Sequence, residues 1–296
     1  MGQNDHMRLP LRALLTTMVG LLTTLLMTLG LITIGQSPAF AAGPYIPDPQ
    51  RPIHPGTQVV TPFTVCTTNF VFTDDTGALY LGYTAHCNPK EDNQTSLNGC
   101  LMNPAPLGDR ADFVVDKSAN DSGTVVGSGT IVYSSWLAMH GEGQTDQTLC
   151  NNNDFALIKV DESDRAKVDP TVPHWGGPNT TEASGFPGWF QLMYGYLNSQ
   201  YRTGNDASKP TTAMMFWPAP WNAFIYSFNF GIEHDSGAGY MDRSGRPVGT
   251  LTSLNFWPPL SNTLVSLKQS IDYARSHGMP GLRIVKGEQA FAIPSS

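Results

Sequence analysis

The chain has 296 residues, carries a net charge of −7 at pH 7, and is 14% charged and 40% hydrophobic. So little charge excludes a disordered protein of the charged-tail kind, and the acidic balance argues against a nucleic-acid binder, because phosphate recognition relies on clustered Lys and Arg. The 29 glycines and 23 prolines are spread along the chain, which is typical of a globular protein rich in turns.

The N-terminal residues have the pattern of a secretion signal. Arg8 and Arg12 give a positive start, the segment from Ala13 to Ile34 contains no charge, and Ala39-Phe40-Ala41 supplies the small residues of a signal-peptidase site. We therefore predict a cleaved signal peptide over residues 1–41 and a secreted, extracellular protein with no stable membrane association after cleavage. An uncleaved anchor is the alternative, because the uncharged segment is long enough to span a bilayer.

The cysteines bear on the redox state of the protein. The four cysteines are Cys66, Cys87, Cys100 and Cys150. An even number in an exported protein predicts two disulfides, for which three pairings exist. A structural zinc site is the alternative, but the chain has no Cys-x-x-Cys spacing and no clustered histidines. The sequence therefore predicts no metal and no cofactor.

The rest of the chain has the pattern of an all-β fold. Residues 42–57 are rich in proline and predict an extended N-terminal arm. Short runs of Val, Ile, Phe, Tyr and Thr then alternate with Gly, Asn, Asp and Ser, which indicates an all-β sandwich or barrel. The charged segment Asp161–Pro173 ends in prolines and predicts a crossing between two β-halves.

Helical spacing occurs only near the C-terminus. Leu264, Leu267 and Ile271 recur at helical intervals, which predicts a helix over Asn262–Ser276 that Asn262 caps. The predicted domains are the arm at 42–57, a first β-half with an insertion at 58–165, a second β-half at 166–262, and the helix and tail at 263–296.

Three segments carry residue types that together perform nucleophilic catalysis. His86 follows a strand-forming run, Asp154 opens an apolar run, and Ser236 lies among glycines on a tight turn. A Ser hydroxyl is a weak nucleophile until an imidazole removes its proton, and a carboxylate orients that imidazole. Each segment alone is a weak signal, since a His beside a Cys is most often a packed structural residue. Their joint order in an exported β-protein favours acyl transfer.

These segments resemble those of the chymotrypsin/trypsin-like serine proteases, and more closely their secreted actinobacterial members. Thr84-Ala85-His86-Cys87 resembles the family's Thr-Ala-(Ala/Gly)-His-Cys, one small residue shorter. Asp154-Phe155-Ala156-Leu157-Ile158 is similar to Asp-Ile-Ala-Leu-(Ile/Val), and Asp235-Ser236-Gly237 matches the core of Gly-Asp-Ser-Gly-(Gly/Ser)-Pro. The resemblance covers about residues 58–277.

The resemblance implies a fold and roles for these residues. The implied fold is two packed six-stranded antiparallel β-barrels, chymotrypsin-like, with a C-terminal helix and with the site in the crevice between the barrels. By this match His86 is the general base, Asp154 orients it, and Ser236 is the nucleophile. Thr252 is expected to support Asp154, as a Ser does in the family.

The nucleophile loop departs from the family pattern at His234, where the family has Gly. In the family this backbone N–H joins that of the serine in the oxyanion hole, so the resemblance assigns the hole to the amides of His234 and Ser236. A positive φ at a non-glycine residue costs about 1–2 kcal/mol. Loss of one oxyanion donor slows such reactions about 100- to 1000-fold. We therefore expect activity that is reduced if His234 misplaces its N–H.

Two further expectations concern the surroundings of Ser236. The chain has no internal Arg or Lys followed by Ile-Val-Gly-Gly, so the resemblance does not extend to an activating N-terminus that pairs with Asp235. Phe230 stands six residues before Ser236, at the base of the family's primary pocket, which argues against a preference for Arg or Lys. Apolar residues such as Met214 and Tyr226 are candidates for the pocket lining, although barrel core is the simpler role for them.

The cysteines fit this arrangement in one pairing. A Cys66–Cys87 disulfide would hold the backbone that carries His86. Given that bridge, the other is Cys100–Cys150, which would pin a long insertion, roughly residues 88–146, beside Asp154.

The sequence thus predicts a secreted serine endopeptidase that cleaves protein or peptide substrates through an acyl-enzyme. The alternative is a catalytically impaired relative that keeps the protease fold as a secreted binding or surface module. A serine esterase of another fold is disfavoured, because Ser236 lacks the Gly-x-Ser-x-Gly motif and the order His, Asp, Ser is wrong for α/β-hydrolases. No nucleic-acid partner is expected, and the sequence makes no prediction about oligomeric state.

Overall fold

The computed structural model describes residues 43–90, 96–202 and 209–295. The predicted signal peptide at 1–41 lies outside the described residues. Strands dominate, few helices are present, and Gly43–Ser296 forms one compact unit. The described residues include no helix that is both long enough and apolar enough to cross a membrane.

The first β-unit is one antiparallel sheet of eight strands in the order β14-β3-β4-β7-β6-β5-β1-β2. Its inward side chains are large and apolar because Val, Phe, Tyr and Leu suit a half-buried pleated surface. The sheet curls around these side chains, with β14 and β2 as its edges. Its strands are β1 (Gln58–Val60), β2 (Val65–Thr67), β3 (Val71–Thr73), β4 (Leu79–Tyr83), β5 (Arg110–Val115), β6 (Thr124–Ser134), β7 (Ala156–Val160) and β14 (Arg283–Ile284).

The second β-unit is a closed six-stranded barrel in the order β10-β13-β12-β11-β8-β9. Closure leaves no unpaired strand edge around its wall. The predicted all-β, chymotrypsin-like fold class with a C-terminal helix is confirmed. Of the two six-stranded barrels expected, the second is present as a closed barrel, whereas the first is a curled sheet of eight strands. The strands of the barrel are β8 (Leu192–Tyr196), β9 (Pro210–Phe216), β10 (Asn222–Tyr226), β11 (Gly239–Met241), β12 (Pro247–Asn255) and β13 (Ser261–Ser266).

The C-terminal helix begins five residues later than the sequence predicts. Residues Ser261–Ser266 form β13, which pairs with β10 and β12 on either side, and the helix, α3, spans Leu267–Ser276. The Ser266 side chain, not that of Asn262, accepts from the N–H of Gln269. A short apolar run suits a strand with two neighbours as well as a helix. The apolar spacing therefore did not mark the boundary between β13 and the helix.

The predicted insertion contributes to the sheet. Residues 88–146 include all of β5 and β6, so this segment builds part of the first β-unit. Two short helices follow β6: α1 (Ser135–Glu142) and α2 (Gln147–Asn152). The Asp146 side chain accepts from the N–H of Thr148 and caps α2. The second helix ends two residues before Asp154.

The arm and the crossing lie against each other. The Tyr45 hydroxyl donates to the buried carboxylate of Asp169 at 2.6 Å, and the Arg51 guanidinium donates to the Val168 carbonyl. Burial, followed by the neighbouring Asp169 carboxylate, raises the pKa of Tyr45 to about 12. A 3₁₀ turn over Glu162–Lys167 lies within the crossing.

The core of the first β-unit generates a stability prediction. Phe113 is fully buried, whereas Phe256 in the turn after β12 is 99% exposed. Phe113→Ala is expected to lower the free energy of unfolding by about 3–5 kcal/mol because it leaves a cavity. Phe256→Ala serves as the matched control, with a change within about 0.5 kcal/mol. Denaturant titration measures both, and equal losses would contradict the placement of these side chains.

Candidate active site

Neighbouring strands bring His86 and Asp154 together. His86 lies in a 3₁₀ turn over Ala85–Cys87 directly after β4, and Asp154 directly precedes β7. These two strands pair antiparallel, so the end of one meets the start of the other, with Tyr83 opposite Ala156. His86 and Asp154 are far apart in the sequence but therefore lie next to each other at the end of the sheet.

Both oxygens of the Asp154 carboxylate hold His86. The His86 ring Nδ1 lies 2.6 Å from Asp154 Oδ2, and the His86 backbone N–H donates to Oδ1 at 3.0 Å. Asp154 is buried, whereas the His86 side chain keeps some exposure. Because a carboxylate only accepts, Nδ1 carries the proton and Nε2 is left as the acceptor. The pair therefore presents a basic nitrogen away from the carboxylate.

A buried serine fixes the backbone on either side of Asp154. The Ser135 hydroxyl donates to the Asn153 carbonyl at 2.7 Å and accepts from the Phe155 N–H at 3.0 Å. The Ser135 N–H also donates to the Phe155 carbonyl at 2.8 Å. Asp154 is thus held between two residues that Ser135 anchors. Sequence reasoning missed this residue, since nothing in Ser134-Ser135 distinguishes the two serines.

The loop that carries Ser236 packs directly against the first β-unit. The Thr67 N–H donates to the Ser236 carbonyl at 2.8 Å, and the Thr67 hydroxyl donates to the His234 carbonyl at 2.9 Å. A Cβ on Gly237, whose φ is +98°, would lie 2.0 Å from the Thr67 carbonyl oxygen and 3.5 Å from the Thr84 nitrogen. Only glycine fits this approach. The loop is therefore held near the turn that contains His86.

The Ser236 hydroxyl has a backbone carbonyl as its partner. Its Oγ donates to the Thr252 carbonyl at 3.4 Å, a long bond. Among the described residues, no hydrogen bond joins Ser236 Oγ to His86 Nε2. The structure thus shows a hydrogen bond between His86 and Asp154. It also places the Ser236 loop against the β-unit that carries both residues, but no hydrogen bond joins Ser236 to His86 among the described residues.

Two backbone amides of this loop are open. Within the described ranges, the N–H groups of His234 and Ser236 have no protein acceptor. The two amides that flank Ser236 in the chain are used: the Asp235 N–H donates to the Ile232 carbonyl, and the Gly237 N–H donates to the Leu251 carbonyl at 2.8 Å. The open pair is the one that the sequence analysis assigned to the oxyanion hole. His234 holds this shape with φ at +71°, the positive value that raised the question of strain.

The His234 ring lies against Tyr201. The two rings stack with centroids 4.8 Å apart, and Nε2 lies 3.7 Å from the Glu233 carboxylate. Burial lowers the pKa of His234, and the positive charge of Lys117 lowers it further, against the opposite pull of Glu233 and Asp235. The ring is therefore neutral at neutral pH and adds no charge to the loop.

Arg202 is the partner of Asp235. Asp235 is fully buried, and its carboxylate accepts from the Arg202 guanidinium and from the N–H groups of Ser199 and Ile232. The same guanidinium donates to Phe230 O at 2.7 Å. Sequence analysis did not identify this residue, although Arg202 and Lys209 are the only cationic side chains between Lys167 and Arg243.

Thr252 does not support Asp154. Its hydroxyl donates to the Thr263 carbonyl at 3.4 Å, and its own carbonyl accepts from Ser236. The register between β12 and β13 shifts between Leu251 and Ser253, so Thr252 lies in a bulge. A bulge re-aims a side chain, which explains the difference from the expected role.

Phe230 lines an apolar cavity together with Met214 and Tyr226. Residues 231–236 do not line this cavity. Instead, the Asn262 side chain bonds the Gly231 N–H at 2.8 Å, the Gly231 carbonyl at 2.9 Å and the Ser253 carbonyl at 3.1 Å. Phe230 therefore lines a cavity that residues 231–236 do not line.

Both disulfides expected from the sequence are present. Cys66 is joined to Cys87, next to His86, and Cys100 is joined to Cys150, close to Asp154. In the described part of the chain, Cys66, His86 and Cys87 are the one group of potential metal ligands whose atoms lie within 4.8 Å of one another. Both sulfurs belong to the disulfide, so neither offers a thiolate to a metal.

No protein-family model matches the chain, and no curated protein matches it. Solved structures with a similar fold include protease A of Thermobifida fusca, 12% identical over 79% of this chain and 99% of that chain, with a TM-score of 0.46. The Nocardiopsis protease is 12% identical over 78% of this chain and 98% of that chain, with a TM-score of 0.41. Cellulomonas bogoriensis chymotrypsin is 12% identical over 79% and 98%, also with a TM-score of 0.41.

Proposed function

We propose that the chain is a secreted serine endopeptidase that hydrolyses peptide bonds with Ser236, His86 and Asp154. The observation that carries this proposal is the His86–Asp154 pair, which leaves the second ring nitrogen of His86 unbonded within the described part of the chain. The loop that carries Ser236 packs against the same β-unit and has two N–H groups without an acceptor among the described residues. A base, a nucleophile and paired N–H donors are the parts that acyl transfer requires.

In the first half of the proposed reaction, Ser236 Oγ attacks the carbonyl carbon of the scissile peptide. His86 Nε2 takes the hydroxyl proton, and Asp154 stabilises the resulting imidazolium. The N–H groups of His234 and Ser236 would bind the negative oxygen of the tetrahedral intermediate. The C–N bond then breaks, His86 returns the proton to the leaving amine, and an acyl-enzyme remains on Ser236.

In the second half, water attacks the acyl carbon. His86 takes a proton from this water, the ester bond to Ser236 breaks, and the proton returns to Ser236 Oγ. The Ser236–Thr252 contact must give way to a contact with His86 before the first step. Catalytic hydrogen bonds often tighten only when substrate is bound, and one rotation about the Cα–Cβ bond changes the direction of the hydroxyl.

Phe230 bears on the proposed specificity because it puts no carboxylate at its position, not because its ring contacts the substrate. It occupies the position six residues before Ser236 and offers no carboxylate for a cationic side chain. Asp235, the buried carboxylate next to Ser236, is already paired with Arg202 and is not available to a cationic substrate side chain. We therefore propose that substrates with Arg or Lys before the cleaved bond are disfavoured.

A second candidate function is a non-catalytic binding module with the same fold. The observation in its favour is the Ser236 hydroxyl, which bonds to the Thr252 carbonyl and not to His86. The two candidates differ in the reactivity of Ser236, so chemical labelling separates them.

Labelling with a fluorophosphonate tests the endopeptidase. Purified chain is expected to take one label at Ser236, because the reagent reacts with serines that a base activates. Ser236→Ala is expected to abolish the label while melting is unchanged, since the side chain is small and its bond is long. Mass spectrometry locates the label, and an active serine protease labelled in parallel is the positive control. Unlabelled wild type would favour the binding module, and a labelled Ser236→Ala would remove Ser236 as the nucleophile.

Ser135 is expected to act as a positioning residue for Asp154. Ser135→Ala leaves the Phe155 N–H and the Asn153 carbonyl without their side-chain partner, which should lower the free energy of unfolding by about 1–3 kcal/mol. At temperatures well below its melting temperature, the variant should label more slowly than the wild type. Ser134→Ala is the matched control, because the buried Ser134 hydroxyl has no partner among the described residues. Labelling rates and melting curves measure both variants. Equal effects in the two would contradict the role of Ser135.

The positive φ at His234 gives a further expectation. Asn and Leu have similar shapes, but Asn tolerates the left-handed region and Leu does not. His234→Leu is therefore expected to be less stable than His234→Asn by about 1–2 kcal/mol. Both variants keep the backbone N–H, so both should still label at Ser236. Denaturant titration gives the difference, and equal stabilities would show that the loop does not hold this φ.

A further inference from the structure

An apolar cavity of 640 Å³ opens on the wall of the second barrel. Strands β8, β9 and β10 and the turn after β12 surround it. The large side chains that line it are Leu192, Met214, Tyr226, Phe228, Phe230 and Leu260. We call this feature the barrel cavity. Its volume lies in the range of small-molecule sites, which are typically about 300–1,000 Å³.

The lining of the barrel cavity has no charged side chain. None of its described lining residues is Asp, Glu, Lys, Arg or His. The Ser227 hydroxyl is already bonded to Thr211 Oγ1 at 2.6 Å and accepts from the Asn229 N–H at 3.1 Å. A carboxylate or an ammonium inside would lose its hydration without a partner, which is costly. An occupant that suits this lining is therefore apolar.

Several apolar side chains of the lining are exposed although a folded surface usually hides such clusters. Phe228 is completely exposed, Leu260 is 59% exposed and Met214 is 39% exposed. Contiguous exposed apolar side chains around a concavity are typical of binding sites.

The topology of the wall argues against a polypeptide added as an extra strand. Each of β8, β9 and β10 is paired on both sides within the closed barrel. Strand addition needs an open edge that offers free N–H and C=O groups. The three strands provide no open edge at this place, so they offer side-chain contacts. Such contacts suit a flexible hydrocarbon chain, which has no backbone polar groups to satisfy.

We propose that the barrel cavity binds an uncharged alkyl or acyl chain, with any polar head group left in solvent at the mouth. This site is separate from Ser236, because neither residues 231–236 nor Thr252 line it. The proposal does not depend on the proposed function, since binding needs neither the triad nor the oxyanion amides.

The test uses N-phenyl-1-naphthylamine, an uncharged apolar probe whose fluorescence rises on burial. Titration of the purified chain is expected to give saturable binding of one probe molecule, and 1-decanol is expected to displace it. Leu260→Asp should weaken probe binding at least about tenfold, because a charge at the mouth must be desolvated. Met214→Asp should act in the same direction.

Val125→Asp is the matched control, since Val125 is 57% exposed on β6 of the first β-unit. It should bind the probe like wild type. Leu260 lies in an exposed turn, so Leu260→Asp is expected to fold even if Met214→Asp does not; melting curves check both. Ser236→Ala should bind the probe unchanged, which separates this test from the labelling experiment. Absence of saturable binding, failure of 1-decanol to displace the probe, or equal loss in Val125→Asp would overturn the proposal.

Discussion

The buried ion pair between Arg202 and Asp235 is the constraint on which the nucleophile loop depends. A carboxylate without solvent is tolerated only when cations and N–H groups compensate its charge. Here the guanidinium and the N–H groups of Ser199 and Ile232 do so. Because Asp235 directly precedes Ser236, the position of the serine follows from the position of this charge. The amides on either side of Asp235 are then left open.

Contacts across the seam relate this loop to the base. Thr67 binds the carbonyls of His234 and Ser236, and the close approach at Gly237 leaves no room for a side chain. On the other side, Asp154 and Ser135 fix the ring and backbone around His86. The proposed nucleophile and base thus come from different β-units, and only packing between those units brings them together.

The sequence predicted the parts of this structure that local patterns encode. Strand-forming runs gave the fold class, and the motifs around His86, Asp154 and Ser236 named residues that share one seam. Only two cationic residues in a long stretch of the sequence were candidates to pair with Asp235. That Arg202 is the one that pairs depends on a loop conformation, which no periodicity encodes. Thr252 differed because a bulge re-aims its side chain, and the helix began late because β13 has apolar spacing that suits either element. These differences all come from tertiary context, which outweighs local propensity in short segments.

The positions of the two disulfides affect the stability of the two β-units unequally. Both disulfides lie in the first β-unit, so the chain that carries the base is stapled twice, whereas the described barrel that carries the serine has no such bridge. A cross-link stabilises mainly by restricting the unfolded chain, and that benefit goes to one half of the molecule. On heating, the barrel that carries Ser236 is therefore expected to unfold first. Reductants, in contrast, would destabilise the first β-unit.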